Sequence, residues 1–115
     1  MGGMTTEDSL GLGEVLFRLE DYHGVIATMS PIVDKYLKHK NANWYLGRSY
    51  MKTGEYQKAA IYLEKVILAG SKRYEDYWHL GDCYHYIGQF EKAREHYSKA
   101  LSLKPDSQEL KENKA

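Results

Sequence analysis

Four side chains capable of chemistry fall close together in this sequence: His79, Asp82, Cys83 and His85. These are the types that hold zinc or turn a thiol into a nucleophile. On a helix His79 and Cys83, four apart, share a face, but His85 falls on the far side. Cys83 also aligns with Ser49 and Val15 in a repeat described below, at a packing position, and no neighbouring base activates it. Gly11-Leu12-Gly13 opens like a dinucleotide-binding glycine run, yet Leu16 stands at the final glycine and no strand pattern precedes it. No pair of carboxylates stands in apolar surroundings that would raise a pKa. The residues therefore assign no catalytic group, no metal ligand and no cofactor, and the expectation is a protein that is not an enzyme.

Hydrophobic residues make up 43% and charged residues 28% of the 115, which suits an ordinary folded domain. Lys plus Arg (16) equals Asp plus Glu (16), so no basic surface for nucleic acid is expected. No apolar run approaches the roughly 20 residues of a membrane span, so no membrane partner is expected either. Cys83 is the single cysteine, which fits a reducing compartment such as the cytoplasm. Eleven Tyr and two Trp, against two Phe, supply side chains with an apolar body and a polar tip, suited to half-buried contacts. Residues 1–5 read as a tag or an unstructured start.

The elements that must position these residues are legible as an internal repeat. Trp44-Tyr45-Leu46-Gly47 returns as Trp78-His79-Leu80-Gly81, a lag of 34, and at the same lag Tyr50 meets Tyr84, Gly54 meets Gly88 and Ala59 meets Ala93. One lag earlier, Leu12-Gly13 opposes Leu46-Gly47. Three copies fit, at about 6–39, 40–73 and 74–107, within a single domain. Each copy holds two helical patterns: one around the Leu-Gly pair, stopped by a glycine such as Gly54, and one through Tyr56, Ala59, Ala60, Leu63, Val66 and Ile67 at spacings of three and four. Gly47, Gly81, Ala59 and Ala93 are the small residues that would let two helices approach closely. Pro31 lies inside the second helix of the first copy, which predicts a bent or shortened helix there.

These residues resemble the tetratricopeptide repeat family, most closely in the third copy: Leu80-Gly81, Tyr84, Gly88, Phe90, Ala93, Tyr97, Ala100 and Pro105. The resemblance implies an all-α fold, a right-handed superhelical stack of antiparallel helix pairs. A C-terminal capping helix or tail over 108–115 is expected to close it. Two departures stand out: Asn43 replaces the aromatic that the family places three before the Leu, and Glu20 stands where Gly54 and Gly88 stand.

The resemblance also implies a function. In this family the first helices line a concave groove that binds other proteins. Position by position, that groove would carry Glu14, Phe17 and Arg18, then Trp44, Tyr45, Arg48, Met51 and Lys52, then Trp78, His79, Asp82, His85 and Tyr86. Such a surface suits an extended peptide or helix of a partner protein. Trp44 and Trp78 adjoin packing positions and can equally bridge adjacent repeats, and Arg48 and Asp82 can pair with each other across the face. The family's grip on chaperone carboxylates is not expected, because its Lys, Asn and Arg positions hold Leu10, Glu14, Tyr45, Glu75 and His79. The alternative is a self-associating module, or a piece of a longer array, presenting Tyr36, Tyr62 and His96 on the outer helices.

Overall fold

The computed structural model describes residues 3–104. The capping helix expected over 108–115 lies outside them. The described chain forms six helices: α1 (Thr6–Arg18), α2 (Tyr22–Lys35), α3 (Lys40–Lys52), α4 (Tyr56–Leu68), α5 (Tyr74–Tyr86) and α6 (Phe90–Leu103). The first helices start 34 residues apart, at Thr6, Lys40 and Tyr74, and so do the second, at Tyr22, Tyr56 and Phe90. Each helix packs on the next, and α1 also reaches α3, giving an elongated stack of 59 × 28 × 25 Å.

Local chemistry fixes where the helices begin and end. Thr5, grouped with the start by sequence, caps α1: its hydroxyl oxygen accepts the Asp8 N–H at 3.0 Å while Asp8 accepts the Thr5 N–H at 3.3 Å. Between the two helices of each pair the chain reverses through a single left-handed residue, at Glu20 (φ 61°), Gly54 (φ 84°) and Gly88 (φ 85°). The carbonyls of Leu16, Tyr50 and Tyr84 each accept an N–H from five residues on, at 2.8 Å in all three turns. Glu20 makes the same turn as its glycine counterparts but carries a Cβ into a region unfavourable to side chains. Pro31 does not shorten α2, which runs unbroken to Lys35, 14 residues against 13 for α4. Its stop four residues later uses no left-handed residue.

Three glycines set how closely the helices of a pair approach. A Cβ at Gly13 would lie 2.2 Å from Met29 Cε, at Gly47 2.6 Å from Leu63 Cγ, and at Gly81 2.6 Å from the Tyr97 ring. In every pair the occupant comes 16 residues after its glycine. Around these notches lie two apolar clusters. One joins Val25, Met29, Ile32 and Val33 of α2 to Ala42 and Leu46 of α3; the other joins Ala59, Ala60 and Leu63 of α4 to Leu80, Cys83 and Tyr84 of α5 and Ala93 of α6. Asn43 explains its departure from the family pattern. Fully buried, its Nδ2 donates to the carbonyls of Leu37 and His39, at 3.0 and 2.9 Å, and ties down the loop after α2.

Replacing Glu20 with Gly is expected to raise unfolding stability by about 1 kcal/mol, because the left-handed conformation then costs nothing sterically; urea denaturation measures it. Two further alanine substitutions are expected to act in opposite directions. A Cβ at Gly11, inside α1, meets nothing within 4 Å, so Gly11→Ala should stabilise by about 0.5–1 kcal/mol. Gly81→Ala should destabilise by about 1–3 kcal/mol despite the same gain in helix propensity, because Tyr97 fills the space.

Candidate functional site

Aromatic residues of α1 and α3 converge on one face of the stack. The Phe17 ring lies 5.6 Å from Trp44 and 5.4 Å from Tyr45, with Trp44 and Tyr45 5.0 Å apart and edge-to-face. The Arg48 guanidinium sits over this group, 5.6 Å from the Trp44 ring and 6.0 Å from Phe17, and Arg73 approaches the Trp44 ring to 5.9 Å. The spacing accounts for the arrangement. Trp44 and Arg48 are four apart on α3 and therefore on one side, while Phe17 comes from the neighbouring first helix.

Trp44 is held from the next repeat. Its indole N–H donates to Asp76 Oδ1 at 3.0 Å, and the other oxygen of Asp76 accepts the Ser71 hydroxyl at 2.5 Å. Asp76 is 1% exposed. It lies in the first turn of α5, where the positive end of the helix dipole favours a carboxylate. Trp44 therefore bridges two repeats and, half-buried, still presents part of its ring. Lys40, Asn41, Trp44, Tyr45, Arg73 and Asp76 border a cleft of about 240 Å³ beside it.

The remaining expected residues divide between this cluster and elsewhere. Glu14 and Arg18 pair with each other at 2.9 Å on the α1 side. Arg48 and Asp82 do not pair. Asp82 accepts the Tyr97 hydroxyl at 2.5 Å, and Arg48 turns to the aromatic rings instead. His79 is half-buried near Arg48. Burial, and then the Arg48 charge, push its pKa down to about 4 against the weaker opposing pull of Asp82, Asp76 and Glu75. Its Nδ1, like Arg48 Nε, is buried without a hydrogen-bond partner among the described residues. Trp78 stays 41% exposed, its ring 4.6 Å from Tyr97. Met51 packs into the α4–α5 cluster. Lys52 is exposed at the end of α3. His85 lies against Phe90 at 5.6 Å, and Tyr86 stacks on Tyr56 at 4.4 Å, away from the Trp44 group. Cys83 is fully buried, and desolvation pushes its thiol up to about 12, so it stays protonated at neutral pH.

Sequence reasoning missed Asp76, Ser71 and Arg73. A signal was present: Asp76 falls one repeat after Ala42, a fully buried packing position, and a carboxylate there must find donors.

Six helices in three pairs at a period of 34 define a helical-repeat protein. The match of the tetratricopeptide repeat model to residues 40–106 places the chain in that family. Among solved structures it is similar to MamA: 24% identity and a TM-score of 0.77 over 96% of this chain and 62% of that one. A second structure of MamA aligns at 23% identity and a TM-score of 0.77 over 91% and 57%. A mutant form of MamA aligns at 16% identity and a TM-score of 0.81 over 87% and 58%. The chain thus spans about three fifths of the first MamA chains it matches, and the likeness carries the fold alone. No curated protein matches. No described helix is long and apolar enough to cross a membrane.

Two substitutions test the site's internal bonding. Trp44→Phe keeps a ring but leaves buried Asp76 one donor short, an expected cost of about 1–3 kcal/mol in urea unfolding. His79 gives a pH dependence. Its folded pKa lies below the unfolded value, so the unfolded chain binds the proton first, and stability is lost as pH falls from about 6.5 towards about 4. His79→Gln should flatten that loss, measured as the difference in unfolding free energy between the two ends of this window.

Proposed function

We propose that this chain is a protein-interaction module, an adaptor or scaffold, that holds an extended or helical segment of a partner against the face of α1, α3 and α5. The observation that carries this reading is the shelf of Phe17, Trp44 and Tyr45 under Arg48. Its rings are anchored by packing and by the Trp44–Asp76 bond, so little side-chain entropy is left to lose on binding. Buried aromatic and Arg groups of this kind supply most of the affinity in protein interfaces. Arg48 has no carboxylate partner among the described residues, and the part of its half-buried guanidinium that reaches the surface suits an acidic or carbonyl group on the partner. Trp78, Asp82 and His79 extend the same face, and Lys52, His85 and Tyr86 would meet only a longer segment. The chaperone-carboxylate grip is not part of this reading, since Glu14 and Glu75 occupy two of its positions.

Peptides selected from a random displayed library on the wild-type protein provide the test. Selected sequences are expected to carry an acidic residue beside an apolar one. Arg48→Glu should weaken them at least about tenfold, roughly 1.4 kcal/mol, in a variant whose circular dichroism matches wild type. Peptides that bind the Arg48→Glu protein unchanged would place recognition on another surface.

A further inference from the structure

Both ends of the described stack repeat faces that are covered in its interior. On α1, Leu12, Val15 and Leu19 recur at spacings of three and four and are 41%, 52% and 70% exposed. One and two repeats on, the counterparts of Leu12 are Leu46 and Leu80, and those of Val15 are Ser49 and Cys83; all four are 0% exposed. Leu46 is covered by α2, and Leu80 and Cys83 by α4, in each case the second helix of the preceding pair. Nothing among the described residues plays that part for α1. At the other end, α6 leaves Phe90 63% and Leu101 41% exposed. Their counterparts on α4 are Tyr56 and Ile67, both only partly exposed and packed against the cluster that holds Leu80, Cys83 and Tyr84 of α5. Among the described residues, the face that α4 offers to α5 is thus repeated without a partner on α6, and the face that α5 offers to α4 is repeated without a partner on α1.

From this correspondence we propose that α1 of one copy docks on α6 of a second copy, continuing the stack from chain to chain. Placing α1 where α5 lies on α4 brings Leu12 and Leu19, the counterparts of Leu80 and Ile87, onto the side of α6 that carries Phe90 and Leu101. Two departures stand on these faces: the Glu64–Tyr84 bond of the α4–α5 contact has Ser98 and Leu16 in its place, and Arg94 stands where Ala60 is buried and pairs with Glu91 at 2.5 Å. An Arg stem can lie along the apolar stripe with its head in water. The contact is head-to-tail, so it does not close on itself and yields open chains instead of a symmetric dimer. It uses a different surface from the proposed partner-binding face. Of the outer residues expected to drive association, Tyr62 is stacked on Tyr50 at 5.6 Å and His96 lies against Tyr84 at 5.1 Å, while Tyr36 is 46% exposed.

Sedimentation velocity over a wide concentration series tests the proposal with the full chain. The wild-type average mass is expected to rise with concentration. A head-blocked variant (Val15→Glu with Leu19→Glu) and a tail-blocked variant (Phe90→Glu with Leu101→Glu) change only exposed positions, and each alone should stay single. Mixed, they should form a one-to-one pair and grow no further, because one keeps a working α6 and the other a working α1. A wild-type chain that stays single at every concentration overturns the proposal, as would follow if residues 105–115 covered α6. So does a tail-blocked variant that associates like wild type, which would mean that α1 meets α1.

Discussion

The structure depends on how closely the two helices of each pair can approach, and three glycines decide that distance. At Gly13, Gly47 and Gly81 a side chain from the partner helix occupies the space a Cβ would need. Interiors packed to crystal-like density cannot absorb a methyl group there without moving that side chain. The three occupants, Met29, Leu63 and Tyr97, differ in shape, yet each comes 16 residues after its glycine, so one geometry is built three times. The second constraint is equally local. A left-handed residue between the helices turns the chain at a fixed angle, and Glu20 accepts the conformational cost to keep the first pair in register with the others.

The aromatic face follows from that spacing. Once α1 and α3 lie side by side, Phe17, Trp44 and Tyr45 meet at 5.0–5.6 Å, and Arg48 has aromatic faces to lie on. The link to the third repeat is a buried carboxylate. Asp76 gives one oxygen to the Trp44 indole and the other to Ser71, so a group costly to bury is satisfied by joining two repeats. Burial has the opposite effect at His79, where desolvation and then the Arg48 charge keep the imidazole neutral. Arg48 and Arg73 are the charges that lie on the Trp44 ring.

Much of this is readable from the sequence, because the determinants are periodic. The lag of 34 yields six helices, the glycine turns and the small residues at the contacts, and it identifies Glu20 as the odd position. Features that depend on distant partners are not readable. Nothing near Arg48 shows that it prefers rings to Asp82, since Asp82 is occupied by Tyr97, 15 residues later. Asp76 and Trp44 are 32 residues apart and meet only after the repeats have stacked. By its local rule Pro31 is a helix breaker, but α2 continues for a further turn, with Ile32 and Val33 buried in the core just after it. Tertiary packing overrides the local penalty there.

The most direct test of the glycine notch is a double-mutant cycle in urea unfolding on Gly47→Ala and Leu63→Ala. Leu63 is fully buried and its branch fills the notch, so its truncation alone should cost about 2–5 kcal/mol. If Leu63 is what excludes a Cβ at position 47, shortening it should remove the cost of the alanine. The two changes together should then destabilise by at least about 1 kcal/mol less than the sum of the single changes. Strict additivity would contradict the notch as the determinant of helix approach.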